Sequence, residues 1–184
     1  MISFAGKLLI SPPAVKGNFW QKSVIFITED HERGSIGLVL NKPSQTSIED
    51  FASQYQIRLF GPLDGMIHIG GPVNVRNFTM LHSNDWSCEN TLTLTKNFSL
   101  SSSDGLLTRL STGDTPKHWR LFVGLCGWQP QQLLNEYEGN PPFRHDTSWL
   151  IVKSTPKLVF DYNHTEQWTN CLEKSGEEFA QSIF

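Results

Sequence analysis

The side chains best suited to chemistry are scattered along this sequence. His82 follows an apolar run, Cys126 sits among glycines, Glu136 falls on a predicted helix and Asp146 lies in a loop. A catalytic nucleophile needs a base within hydrogen-bond reach, and no short spacing in the sequence supplies one. A buried cysteine more often serves as a small apolar residue. One hypothesis is therefore a hydrolase or transferase whose site forms only in the folded chain, near His82, Cys126 and Glu136.

Motifs that would identify a cofactor or a metal are absent from the sequence. It contains no G-x-x-x-x-G-K-[ST] loop, no G-x-G-x-x-G turn, no H-E-x-x-H helix and no G-x-S-x-G elbow. None of the six histidines pairs with another at i, i+4 spacing. We therefore predict no cofactor and no metal.

Three short apolar runs end in glycine or proline, and each predicts a buried strand that enters a tight turn. In the second run, Gly70-Gly71-Pro72 could expose backbone N–H groups to an anion or could simply reverse the chain. Glu136 and Asn140, beyond the third turn, could bind a polar ligand or cap their helix. The main hypothesis is a non-enzymatic binding or regulatory module. Its candidate binding residues are His82, Glu136, Asn140 and the turns Asn41-Lys42-Pro43, Gly70-Gly71-Pro72 and Gly127-Trp128.

Composition bounds the class of protein. The 184 residues suit one domain over 1–184. A net charge of −3 argues against direct nucleic-acid binding, and three separated cysteines are typical of the cytoplasm. No run approaches the roughly 20 apolar residues that span a bilayer, so we expect no membrane contact. The expected partner is a protein or a small molecule of unknown identity.

Periodicity and punctuation predict a mixture of strands and helices without regular β-α alternation, which favours the α+β class. The runs 24–27 and 36–40 predict an antiparallel hairpin. Thr46 and Glu49 have capping-box spacing for a helix over 47–55. Further expected helices cover 103–110, 131–138 and 166 to about 174, with a loosely held tail from about 176. Other expected strands are 8–10, 67–69, 78–82, 91–95, 119–124, 149–152 and 158–160.

In this order, the punctuated segments resemble the bacterial YqgE/AlgH family, over about residues 5–175. The residues that carry the resemblance include Gly6–Pro13, Ser23–Ile27, Gly37–Pro43, Gly70–Val73, Leu81-His82, Gly127-Trp128, Gln132-Leu133, Glu136 and Asn140. The resemblance implies a single α+β domain with a mixed, mainly antiparallel, split or barrel-like sheet flanked by several helices. It also implies a bacterial cytoplasmic protein.

The resemblance implies no agreed activity and no catalytic residues. One branch of the family is named for a regulatory link to alginate production, which gives a third hypothesis, a transcriptional regulator. The absence of a helix-turn-helix pattern weighs against that role. This chain departs from the family pattern at Gln131 and Leu134, where the family has Gly and Glu. It departs again at Pro141, where an aromatic residue usually follows the Asn. Those departures fall at the helix that carries Glu136.

Overall fold

The structure is a computed structural model that describes residues 3–102 and 105–183. Within these residues the chain forms ten strands, four α-helices, a 3-10 turn (His145–Thr147) and a π-helical turn (Lys157–Asp161). The helices are α1 (Ile48–Gln54), α2 (Leu106–Leu110), α3 (Gln132–Glu138) and α4 (His164–Ile183). The strands are β1 (Lys7–Ile10), β2 (Val24–His31), β3 (Gly34–Val39), β4 (Pro43–Ser47), β5 (Met66–Ile69), β6 (Val73–Ser83), β7 (Thr91–Thr93), β8 (Phe98–Ser101), β9 (Trp119–Trp128) and β10 (Leu150–Lys153).

Eight strands form a curled antiparallel path in the order β10-β1-β2-β3-β9-β6-β8-β7. Strand β5 adds to β9 in parallel, with His68 opposite Phe122, and β4 pairs with β5. This arrangement confirms the predicted α+β fold with a mixed, mainly antiparallel, barrel-like sheet flanked by helices.

Strand β9 splits the sheet because its two halves have different neighbours. Phe122 and Val123 pair with β5, whereas Cys126 to Trp128 pair with β3. Between them Gly124 has a φ of +70°, and a Cβ there would meet the backbone oxygen of Gly71. Only glycine adopts this conformation at such close approach without strain. The last residues of β9 are thereby directed to the end of the sheet beside α3.

The first three strands are buried on both faces, which explains their uninterrupted apolar sequence. Leu8, Val24 and Phe26 pack in the cluster that also holds residues of α4. Leu9 and Ile25 belong to the opposite cluster, together with Leu133 of α3. Each fully buried side chain of this size contributes about 1.5–3 kcal/mol. A third cluster packs α1 and α2 against β5, β6 and β9.

Two predictions of local structure were wrong. Helix α1 is capped by Ser47, whose hydroxyl accepts the Asp50 N–H at 3.0 Å, rather than by a box from Thr46 to Glu49. Glu49 instead accepts the N–H of Leu63. The expected strand 158–160 is part of the π-helical turn, because side chains rather than a strand satisfy its carbonyls. Arg120 donates to the Phe160 carbonyl and Gln167 donates to those of Leu158 and Val159.

Other element boundaries also differ from the prediction. Strands β4 and β8 were missed, and α4 runs to Ile183 rather than ending near Lys174. The loose hold of the tail from about 176 stays a prediction. The expected helix start at 103–104 lies outside the described residues, and α2 begins at Leu106. In the described part of the chain, no helix is long and apolar enough to cross a bilayer.

Candidate functional site

A cleft of about 520 Å³ opens where the end of β9 meets α3. Its volume falls within the range of small-molecule sites, roughly 300–1,000 Å³. The loop 14–20 and the segment 143–149 form its other walls. It is lined by Ala14, Val15, Lys16, Asn18, Trp20, Pro72, Val73, Cys126, Gly127, Trp128, Gln132, Glu136, Phe143, Thr147 and Trp149.

The start of α3 turns two polar side chains toward this cleft. Gln132 and Glu136 are one helical turn apart and therefore share a face, while Leu133 is buried in the core. The backbone N–H of Gln129 donates to Gln132 Oε1 at 3.0 Å. A backbone N–H can only donate, so this bond fixes the orientation of the Gln132 amide and leaves its NH₂ group to donate elsewhere.

The Glu136 carboxylate accepts three hydrogen bonds from neutral side-chain donors. Gln132 Nε2 donates to Oε1 at 2.8 Å. The indole N–H groups of Trp128 and Trp149 both donate to Oε2, at 3.0 Å and 2.7 Å. Trp128 and Trp149 are only 7% and 8% exposed, so each indole needs a partner inside the protein. The three bonds hold Glu136 in one position at the wall of the cleft.

Glu136 forms no salt bridge within the described residues. Across 3–102 and 105–183, no ion pair joins its carboxylate to a lysine, arginine or histidine. Lys16, which also lines the cleft, is exposed at its rim. A carboxylate has acceptor capacity for about four hydrogen bonds, so Oε1 keeps room for one more donor.

Half-buried rings supply the apolar part of the site. Trp20 packs edge-on against Trp149, with ring centroids 6.0 Å apart. Phe143 lies on the segment after α3 and is also half-buried. The arrangement therefore combines one positioned anionic group with aromatic surface, which suits a ligand that has both a polar and an apolar part.

The structure brings four of the predicted binding residues into this cleft: Pro72, Gly127, Trp128 and Glu136. Gly70 and Gly71 lie directly behind it. The Gly70 N–H donates to the Val123 carbonyl at 2.9 Å, so that donor is already used and the turn holds β5 and β6 against β9. Gly71 packs against the backbone of Leu125.

The turn at Asn41 does not line the cleft and joins distant segments. Asn41 is buried; it accepts the Val24 N–H at 3.0 Å and donates to the carbonyls of Lys22 and His164. Lys42 donates to the Gln21 carbonyl, and burial lowers its pKa. Pro43 lies in β4, opposite His68.

His82 and Asn140 also lie away from the cleft lining. His82 is fully buried, and its Nδ1 bonds the Ser83 carbonyl at 2.8 Å. Because a carbonyl only accepts, Nδ1 carries the proton and Nε2 accepts the Ser101 hydroxyl at 2.8 Å. Burial lowers the pKa of His82. Asn140, at the far end of α3, donates to Asn135 and Glu138.

Cys126 lies at the base of the cleft as an unreactive thiol. Its Sγ donates to the Gly70 carbonyl at 3.3 Å, and burial raises its pKa to about 12. Nucleophilic attack requires the thiolate, which is scarce at neutral pH with this pKa. In the described part of the chain no hydrogen bond joins any two of His82, Cys126, Glu136 and Asp146, and Asp146 pairs with Arg144 instead.

Five residues with a role at this site were not among the predicted binding residues: Lys16, Trp20, Gln132, Phe143 and Trp149. Trp149 precedes β10, whose register with β1 (Leu150 opposite Ile10) sets its place in the fold. The available signal was chemical: a tryptophan in an apolar segment needs an acceptor for its N–H. That rule gives the kind of partner but not its position in the chain.

Comparisons with known proteins match nearly the whole length of this chain. The sequence model of the AlgH-like family matches residues 8–180. The chain belongs to the AlgH-like family. A UPF0301 protein of Shewanella denitrificans is 30% identical over 98% of this chain and 96% of its own length. A UPF0301 protein of Vibrio parahaemolyticus is 29% identical over the same shares of the two chains.

Solved structures of other proteins share this fold. The solution structure of AlgH from Pseudomonas aeruginosa superposes with a TM-score of 0.77 at 26% identity, covering 95% of this chain and 89% of that one. A Corynebacterium diphtheriae protein gives a TM-score of 0.69 at 19% identity, covering 92% and 85%, and shows the fold alone.

The departures from the AlgH-like pattern leave the Glu136 arrangement in place. Gln131 has a left-handed φ of +64°, a conformation in which glycine, the residue that the resemblance implies at this position, is less strained. Leu134 packs on the core cluster that contains Phe4. It lies about 200° around the helix from both Gln132 and Glu136, so its change of polarity falls on the opposite face of α3.

Proposed function

We propose that this protein is a non-enzymatic binding module and that the cleft beside α3 takes a small-molecule ligand. The observation that carries the proposal is the Glu136 carboxylate, held by Trp128, Trp149 and Gln132 at the wall of the cleft. A recognition group that is already fixed loses little conformational freedom when a ligand binds.

The surroundings of the cleft support binding rather than catalysis. Cys126 is protonated at neutral pH because burial raises its pKa to about 12. His82 is fully buried, so it cannot reach a ligand in the cleft. We extend the proposal to a regulatory role in the bacterial cytoplasm that does not involve direct contact with nucleic acid. The net charge of −3 supports that extension, and a salt-dependent gel shift with DNA would contradict it.

A thermal-shift screen against a metabolite collection tests the proposal. Ligands that raise the melting temperature of the wild type should lose their effect in Phe143→Ala, which removes one aromatic wall. Phe60→Ala is the matched control, because Phe60 is 59% exposed and lies outside the cleft lining. Hits that respond equally to both substitutions would contradict the proposal. Turnover of a bound compound by the purified protein would overturn its non-enzymatic part.

A further inference from the structure

We propose that the cleft selects an organic cation, a small molecule with an ammonium group and an apolar body. This inference rests on the proposed function and specifies its ligand class. All three hydrogen-bond donors to the Glu136 carboxylate are neutral, so no cation among them balances this acidic group. An anionic ligand would meet this charge, and a neutral one would leave it unpaired.

The apolar walls strengthen the preference for a cation. Trp20 and Phe143 offer half-buried ring surface in the same cleft, and aromatic rings attract ammonium groups that lose water on binding. A charge-assisted hydrogen bond from an ammonium to Oε1 would occupy the acceptor position that Gln132 leaves open. The carboxylate and the rings therefore favour the same kind of ligand.

Lys16 is the other charged side chain that lines the cleft. It is exposed at the rim, where water and salt screen its charge. We expect it to weaken the binding of a cation slightly. Removing the Lys16 charge should therefore strengthen the binding of a cation, whereas removing the Glu136 charge should weaken it.

Three probes of similar shape separate charge from apolar contact: 2-phenylethylamine, 2-phenylethanol and phenylacetate. Their dissociation constants are measured by NMR titration of the tryptophan indole signals at low ionic strength. We expect the amine to bind at least about tenfold more tightly than the alcohol, with phenylacetate weakest. Lys16→Gln should raise the affinity for the amine about twofold.

Two variants of α3 test the role of the charge while keeping an oxygen acceptor for both indole N–H groups. Glu136→Gln keeps an oxygen for both indole N–H groups but removes the charge, and should bring the amine to the affinity of the alcohol. Adding Gln132→Glu returns the charge one helical turn away. In that double variant the carboxylate at position 132 accepts the Gln129 N–H and the new amide at position 136, so every bond has a partner. It should regain part of the preference for the amine.

Glu138→Gln is the control, because Glu138 is exposed on the same helix outside the cleft. It should leave all three affinities unchanged. If the alcohol or phenylacetate binds best, and Phe143→Ala still weakens it, the proposed function stands and the cation inference is overturned. Retained preference for the amine in Glu136→Gln also overturns the inference. Absence of binding by all three probes overturns it too, whereas the proposed function is decided by the metabolite screen and its comparison of Phe143→Ala with Phe60→Ala.

A basic side chain of a protein partner has the same chemistry as the proposed ligand. A short peptide with a central lysine is therefore titrated beside the amine. Binding of the peptide without binding of 2-phenylethylamine overturns the assignment to a small molecule.

Discussion

Replacing Glu136 by leucine removes the acceptor that two buried indoles share. Trp128 and Trp149 are 7% and 8% exposed, and their N–H groups bond the same oxygen, Oε2. Each buried donor left without a partner costs about 1–3 kcal/mol. We therefore expect Glu136→Leu to lower the free energy of unfolding by about 2–6 kcal/mol.

Glutamine at the same position separates this effect from the loss of charge. Glu136→Gln keeps an acceptor for both indoles and loses mainly the favourable contact with Gln132, so it should cost about 1 kcal/mol. Urea unfolding followed by tryptophan fluorescence gives both values. Glu138→Leu is the control on the exposed side of α3 and should stay within about 0.5 kcal/mol of wild type.

The comparison between the two Glu136 variants shows whether the indole N–H groups depend on an acceptor at position 136. Equal stability of Glu136→Leu and Glu136→Gln would show that the indoles do not depend on the carboxylate oxygen. The description of Glu136 as a positioned group would then be wrong, even if the cleft itself binds ligands.

Three further predictions concern residues around the sheet. Cys126 should resist alkylation at pH 8 in the native state and react in urea, because burial raises its pKa to about 12; rapid native labelling would contradict this. Burial and the neighbouring Arg120 lower the pKa of His68 to about 3. An unfolded histidine titrates near 6.5, so between about pH 3 and pH 6.5 the unfolded state binds more protons than the folded state. The free energy of unfolding therefore decreases as the pH is lowered through this range. At pH 5 the free energy of unfolding is lower by roughly 2 kcal/mol than at neutral pH. Urea unfolding at several pH values should show a weaker pH dependence in His68→Phe, and an unchanged pH dependence would show that other groups cause it. Gly124→Ala should destabilise the protein by about 2–6 kcal/mol, from strain at positive φ and overlap with the backbone of Gly71. Gly127→Ala, where a Cβ meets open space, should stay within about 0.5 kcal/mol, and equal loss in both would contradict the argument.

Local patterns were sufficient for the elements whose signal lies within a few residues. The hairpin of β2 and β3 follows from two apolar runs and a polar turn, and α3 follows from Pro130 and Gly139. The prediction of a strand at 158–160 was wrong because apolar residues of this kind occur in both strands and buried turns. Its carbonyls are satisfied by Gln167 of α4, the next element, and by Arg120, which lies 40 residues before Phe160.

Residues of the candidate site that lie close together in the sequence could be predicted. Trp128 and Glu136 are eight residues apart and lie on adjacent elements, so the resemblance and the helix pattern could place both near one turn. Trp149 reaches Glu136 only because β10 pairs with β1. Asn41 was expected in the cleft because it sits at a stiff turn, yet its amide is used to join β2 to the start of α4.

A crystal structure of the protein with bound 2-phenylethylamine would show directly whether Glu136 recognises the ammonium group. We expect the amine nitrogen within about 3 Å of the Glu136 carboxylate, with the phenyl ring against Trp20 and Phe143. An amine that binds outside this cleft, or that turns its nitrogen toward solvent while Glu136 contacts only its own three donors, would contradict this expectation.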